Sequence, residues 1–457
     1  MAGLDNNISI SVSGAAPPVS AVSFGLVLFV AAAGTLEAGF TERVRTYDST
    51  ASAEADEDLS AAAQDAVAAC FSQPLHVDRC QVGRVEIDVA QVHTVTITTA
   101  ADGVWSIPIT LFDGTIITAS FTASGSAADT AIATGLRAAI TTALAVAHDA
   151  TPSDLTPSGV GAAVIITADV AGNGFTVGTV VDPGIGAHTS VATTASRNIK
   201  DGLDAILAEN ASFYAFSIAS QAEVQLERAQ AWAEANKKVF LGQTADADVI
   251  TSATDDIASK AKALNYNQSG VMHHATAADY AAFAWLCFWL QCNPDEKTTD
   301  ASYRTLSGVT PGTYTSGQLA YMDGKNCNYY STLKGRGATF PGKLASGLYF
   351  DQRLTRDWFK ARLEEAFANQ LFTAHNANSK IPYTNKGLQA LASTAKSIVE
   401  WGITAGHFDG AQGYEVTVAK LANVPGADKA AKIARITVVV YEAGSIQKIT
   451  LTAFVDL

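Results

Sequence analysis

Charge is what this chain has least of. Charged residues occupy 16% of its 457 positions, where an average globular domain carries about 25%. A surface so poor in charge suits a protein whose exterior is largely covered by other subunits. The charge that remains is mostly negative, for a formal net of −14. That argues against general binding to nucleic acid or to anionic membranes. The five cysteines (Cys70, Cys80, Cys287, Cys292 and Cys327) are odd in number and form no CxxC pair. They offer neither a disulfide framework nor a zinc-ribbon spacing, so reduced, buried thiols are expected. Long apolar runs are missing too. Residues 22–33 and 281–290 are apolar but too short to cross a bilayer. The first is β-branched and contains glycine, and reads as a buried strand. The second, with Trp285, Phe288 and Trp289, reads as a buried helix. Asp5 stands where a secretory signal would be basic, and a soluble product is expected.

Catalytic signatures are equally scarce. There is no G-x-S-x-G. Gly337-Ala338-Thr339-Phe340-Pro341-Gly342-Lys343 fits the phosphate-loop pattern, but Leu344 follows where Ser or Thr would hold Mg²⁺, and Pro341 removes a backbone N–H. His273 and His274 are adjacent on a predicted strand, so they point to opposite faces and cannot share one metal. Asp246 and Asp248 follow another predicted strand, where they either bind a cation or cap the next helix. The sequence therefore points to no enzyme, no cofactor and no metal.

What is present is alternation at both extremes. Asn6-Asn7-Ile8-Ser9-Ile10-Ser11-Val12-Ser13 alternates with period two, and so does 446–457, with Ile449, Leu451 and Phe454 among its apolar positions. Period-two patterning marks a half-buried strand. A strand at a terminus must find a sheet to meet its backbone groups, in its own chain or in a neighbour's. Pro17-Pro18 and Ala443-Gly444-Ser445 read as flexible linkers beside these strands.

Between the ends, texture changes twice. From Gly83 to Arg197 the chain is rich in Thr, Val, Ile, Ala and Gly, with a hairpin expected around Asp113-Gly114 and a helix over 129–147. On both sides strands and helices alternate, which predicts a parallel sheet flanked by helices. The spacing predicts loops over 298–347, amphipathic helices over 354–372 and 386–401, and strands over 414–421 and 434–441. The expected fold class is thus multidomain α+β and α/β. A strand arm (1–20) precedes an α/β core with a parallel-type sheet (21–83 and 197–340). A mostly-β domain is inserted in that core (84–196), and a C-terminal α+β domain (341–445) ends in a second strand arm (446–457).

In this order the pieces resemble contractile phage tail sheath proteins of the myophage type. The resemblance rests on Asn7-Ile8-Ser9-Ile10-Ser11 before Ala16-Pro17-Pro18 and on the apolar strand over 24–30. It rests further on the β-rich insert, Phe213-Tyr214-Ala215-Phe216, Ser331-Thr332-Leu333-Lys334-Gly335 and Asp357-Trp358-Phe359, and spans essentially the whole chain. It implies a structural subunit of the virion tail, assembled in the cytoplasm of the bacterial host. Such subunits stack as hexameric rings around an inner tube protein, meet baseplate and terminator proteins at the ends, and contract to drive the tube through the envelope. It implies that Ile8, Ile10 and Val12 lie in one intersubunit strand and Ile449, Leu451 and Phe454 in another. Val416, Val418, Ile436, Val438 and Val440 would lie in the receiving strands, and Arg353, Arg356, Lys360 and Arg362 on a helix facing the tube. The alternative is a virion surface protein whose inserted β domain recognises a receptor or glycan.

Overall fold

The computed structural model of the chain describes residues 23–32, 39–85, 88–147 and 154–447. The terminal strands with Ile8, Ile10, Val12, Ile449, Leu451 and Phe454 lie outside the described residues.

The first elements among the described residues are β1 (Val27–Ala32), β2 (Val44–Tyr47), α1 (Thr50–Glu54), α2 (Ala61–Phe71) and β3 (Cys80–Val85). It then leaves the core for an insert and returns with α4 (Ile199–Glu209). The insert contains β4 (Val92–Thr99), β5 (Gly103–Thr110), β6 (Ile116–Ala123), α3 (Asp129–Ala147), β7 (Leu155–Ser158), β8 (Ala163–Ala168), β9 (Thr176–Val177) and β10 (Ala187–Thr194). Next come β11 (Ala215–Ile218), α5 (Glu223–Asn236), β12 (Val239–Thr244), α6 (Ile257–Ala263), β13 (Ser269–His273) and α7 (Ala281–Trp289). They are followed by α8 (Ser316–Gly324), β14 (Asn328–Leu333) and β15 (Arg336–Phe340). The C-terminal part holds α9 (Phe350–Asn376), α10 (Asn385–Thr404), β16 (Glu415–Val418), α11 (Gly426–Ala431) and β17 (Ile436–Val439).

The core sheet has the strand order β15-β14-β13-β12-β11-β1-β3-β2. Its six inner strands are parallel, and the edge strands β15 and β2 run antiparallel to their neighbours. A parallel strand covered on both faces should be apolar without interruption, and β1 is. Val27, Phe29 and Ala31 enter one hydrophobic cluster with α2 and α7. Leu28 and Val30 enter a second one with α4, α5 and α6 on the opposite face. The sheet is therefore the middle of a three-layer sandwich.

The segment 298–347 departs from the loops expected of it. It supplies α8 and the edge hairpin β14–β15. Asn328 shows why the pattern was hidden: it is fully buried, yet its amide donates to the carbonyls of Val271 and Lys343 and accepts from the Lys343 N–H. A satisfied buried amide is tolerated where an unpaired one is costly, so a core strand here reads as polar. The core also keeps the chain slightly longer than texture implied, since β3 pairs with β1 through Val85.

The insert has a hydrophobic cluster of its own, in which Ile132, Leu136, Ile140 and Leu144 of α3 meet Val95, Trp105, Ile107 and Val164 of the strands. The hairpin expected at Asp113-Gly114 is present as β5–β6. The two connections to the core come together where Val89 and Arg197 exchange backbone hydrogen bonds. Arg228 of α5 pins this junction. Its guanidinium pairs with Asp88 and donates to the Ala171 carbonyl and to Asn173 Oδ1.

Candidate assembly surfaces

β16 and β17 pair antiparallel, with Val416 opposite Val438 and Val418 opposite Ile436. These four side chains are half-buried, while Glu415, Thr417, Thr437 and Val439 on the other face are exposed. Val440 packs against the first core cluster. Four of the five residues expected to receive a partner strand thus belong to one small sheet, and Val440 lies one residue beyond it. The loop between the strands is braced locally: Arg435 donates to both carboxylate oxygens of Asp428 (2.7 and 2.9 Å), and the Tyr383 hydroxyl donates to the Ile433 carbonyl. Among the described residues neither outer edge of this two-stranded sheet is paired. An isolated two-stranded sheet is marginal on its own, and an unpaired edge is a template for a further strand.

The basic residues of α9 divide into two kinds. Arg362 is 6% exposed. It donates to both oxygens of Asp295 (2.7 and 3.0 Å) and to Glu365 (2.6 Å), and its guanidinium lies over the rings of Phe24 and Trp401. Arg353 is tied to Asp357, which also accepts from the buried Tyr214 hydroxyl. Burial pushes that phenol well above its ordinary pKa, with the Asp357 charge adding to the shift. Arg353 and Arg362 are therefore engaged within the chain, whereas the resemblance implied all four basic residues on a helix facing the tube. Arg356 is half exposed and pairs with Glu442 (2.6 Å). Lys360 is 72% exposed, with Glu364 at 3.8 Å. These two are the basic charges that α9 offers outward, beside the exposed carboxylate of Glu364.

The other candidates resolve into structure. Gly337 to Phe340 lie inside β15, so the phosphate-loop pattern has no strand-to-helix turn. Asp246 caps the 3₁₀ turn Ala247–Ile250, accepting from the Asp248 N–H. His273 bonds the Tyr314 hydroxyl and His274 bonds Asp279 (2.9 Å). Among the described residues no group of three His, Cys, Asp or Glu side chains is placed to hold a metal. The five cysteines are free and buried. Burial raises the Cys70 and Cys287 thiols, and the Cys327 thiol is pushed up to about 12 by burial. Because the thiolate is the reactive form, a disulfide-exchange reagent should label none of the five in the native chain and all five in denaturant, read by absorbance or mass.

Sequence reasoning missed two features. One is the groove of about 690 Å³ between the insert and α5–α6, where Phe112, Val170, Val224 and Leu264 converge and are all exposed. Such apolar convergence is characteristic of contact surfaces, but its residues come from four separated segments. The other is the strap after β17. Ala443-Gly444-Ser445 reads as a free linker, yet the Ala443 N–H donates to the His407 carbonyl and Ser445 Oγ donates to Asp351.

Residues 350–455 match the family model described as E217 tail sheath protein gp31-like, C-terminal domain. No curated protein sequence matches the chain. The fold is similar to that of the anti-feeding prophage helical sheath in its contracted state, at 12% identity and a TM-score of 0.54 over 98% of each chain. It is also similar to the sheath complex of PVC, an extracellular contractile injection system, in its contracted state. There the identity is 10% and the TM-score 0.51, over 98% of this chain and 97% of the other. The resemblance to contractile tail sheath proteins thus holds on two grounds, the sequence of the C-terminal region and the fold of the whole chain.

Proposed function

We propose that the chain is the structural subunit of a contractile tail sheath. It polymerises as stacked hexameric rings around an inner tube, with baseplate and terminator proteins at the ends, and contracts to drive the tube through a bacterial envelope. The observation that carries this reading is the β16–β17 sheet, whose two edges are free among the described residues, in a chain with an alternating strand in its sequence at either end. Two free edges accept two strands, one from each of two neighbours. Main-chain hydrogen bonds of this kind survive a change of angle between subunits, so the links persist while the lattice rearranges. The work would come from a metastable extended lattice relaxing to one that buries more surface, with no nucleotide needed. On this reading Arg356 and Lys360 are the basic charges of α9 available to the tube.

The insert separates this reading from receptor or glycan recognition. Val89 and Arg197 are hydrogen-bonded to each other, so residues 90–196 can be replaced by Gly-Gly without stretching the core. A sheath subunit so shortened should still form rings or tubes in negative-stain electron microscopy. Loss of cell binding by the shortened chain, where the intact chain binds cells, would favour a recognition role for the insert.

A further inference from the structure

Beyond β17 the chain crosses the body of the protein along a line of side-chain and backbone contacts. The Tyr441 carbonyl accepts from Asp409 N–H, and Ala443 N–H donates to the His407 carbonyl (3.0 Å). Glu442 pairs with Arg356 of α9. Ser445 Oγ donates to Asp351 Oδ2 (3.2 Å) in the first turn of α9. Gln447 is held twice: its carbonyl accepts from the Tyr303 hydroxyl (2.6 Å) and its amide donates to Asp300. The contacts come from three places far apart in sequence, namely the loop after α7, the start of α9 and the loop after α10.

Two features mark this as more than surface adhesion. Tyr303 sits at φ 59°, a left-handed conformation that is a genuine outlier for a bulky residue. It is fixed there by its N–H to the Thr339 carbonyl (2.9 Å) and by edge contact of its ring with Phe340. Strained residues of this kind cluster at clamps and switches. Asp351 is buried, and its carboxyl is pushed above the usual carboxylate range, first by burial and then by the neighbouring Asp300 charge. The strap's hydroxyl and amide supply further donors to these two carboxylates, beside the backbone N–H groups of Ser302 and Gln352 that the body provides.

We propose that residues 441–447 form a latch. Asp300, Tyr303 and Asp351 hold the strap on the subunit's own body and so fix the point from which the following strand departs. The inference rests on the proposed function only for its consequence, that the departing strand is an intersubunit arm. Releasing 443–447 moves the departure point by up to roughly 17 Å, five residues at about 3.3–3.6 Å each. The latch thus gives the arm a short and a long reach without breaking its far end.

The test uses the full chain in its unassembled form. Ser445→Ala/Gln447→Ala removes the strap's donors without entering the core, and Tyr303→Phe removes one hydroxyl. Hydrogen exchange at the Ala443 amide should speed up about tenfold in the double variant and rise in the single one, while peptides from β13 are unchanged. Unchanged exchange at Ala443 in both variants overturns the latch, whatever assemblies look like. If exchange rises, but this variant and a version lacking 448–457 both assemble as the intact chain does, the latch stands and the arm reading fails.

Discussion

Replacing Arg362 by alanine should destabilise the free subunit by about 3–5 kcal/mol, the range for removing one partner of a buried ion pair. The guanidinium is the buried hub of a site whose one partly open side is Asp295, 29% exposed. Asp295 accepts from Arg362 through both oxygens and from Trp358 Nε1 (2.7 Å), and Glu365 is 14% exposed. Without Arg362, the Asp295 carboxylate keeps the Trp358 donor and Glu365 loses its contact with the guanidinium. Trp358 stands beside this site, fully buried and stacked on His407 at 4.3 Å, so its fluorescence reports the transition. Lys360→Ala, two residues earlier on the opposite side of the helix and exposed, should move stability by no more than about 0.5 kcal/mol. Arg362→Ala/Asp295→Ala should regain part of the loss, because the stranded charge goes with its partner. Equal urea midpoints for Arg362→Ala and Lys360→Ala would mean that Arg362 is a surface charge after all. Lys360→Ala and Arg356→Ala should act instead on assembly around a tube.

The same residue shows where sequence reasoning reaches its limit. Helical spacing places Arg353, Arg356, Lys360 and Arg362 on one element, and that much is legible. The partner that decides the fate of Arg362 is Asp295, 67 residues upstream, and no local pattern connects them. Elements that declare themselves by periodicity came through well. α3 runs from Asp129 to Ala147, as its apolar spacing implied, and α7 is buried along its whole length. β14 did not, because its core position is filled by a satisfied amide and by tyrosines, which read as loop. β10 was missed for a different reason: most of its residues are exposed and small or polar, so neither face carries an apolar signature. β16 and β17 were legible because Val416, Val418, Ile436 and Val438 keep strict alternation. The latch was not, because its residues are joined only by the fold.

The second large effect concerns the N-terminal segment. A version of the chain beginning at Ala21 should fold and fail to assemble, while the full chain forms rings or tubes in negative-stain images. The argument starts from the β16–β17 sheet. Its strands are four residues each, too short to be stable without support from α10 and from further strands. A partner strand would supply backbone hydrogen bonds worth about 0.5–1.5 kcal/mol each. Ile8, Ile10 and Val12 on one face would add about 1.5–3 kcal/mol apiece if fully buried. Those gains recur at every subunit of a lattice, so removing the strand removes a link from every contact at once and the loss should be all-or-none. The subunit's own fold should be spared, since the described residues from Phe24 onward already supply two extensive hydrophobic clusters of the core. Assembly by both forms would keep the sheath and discard the N-terminal strand as its link. Monomers from both, even when a tube protein is co-expressed, would count against the sheath itself, because a subunit built to clasp its neighbours should do so once the tube is there to organise it.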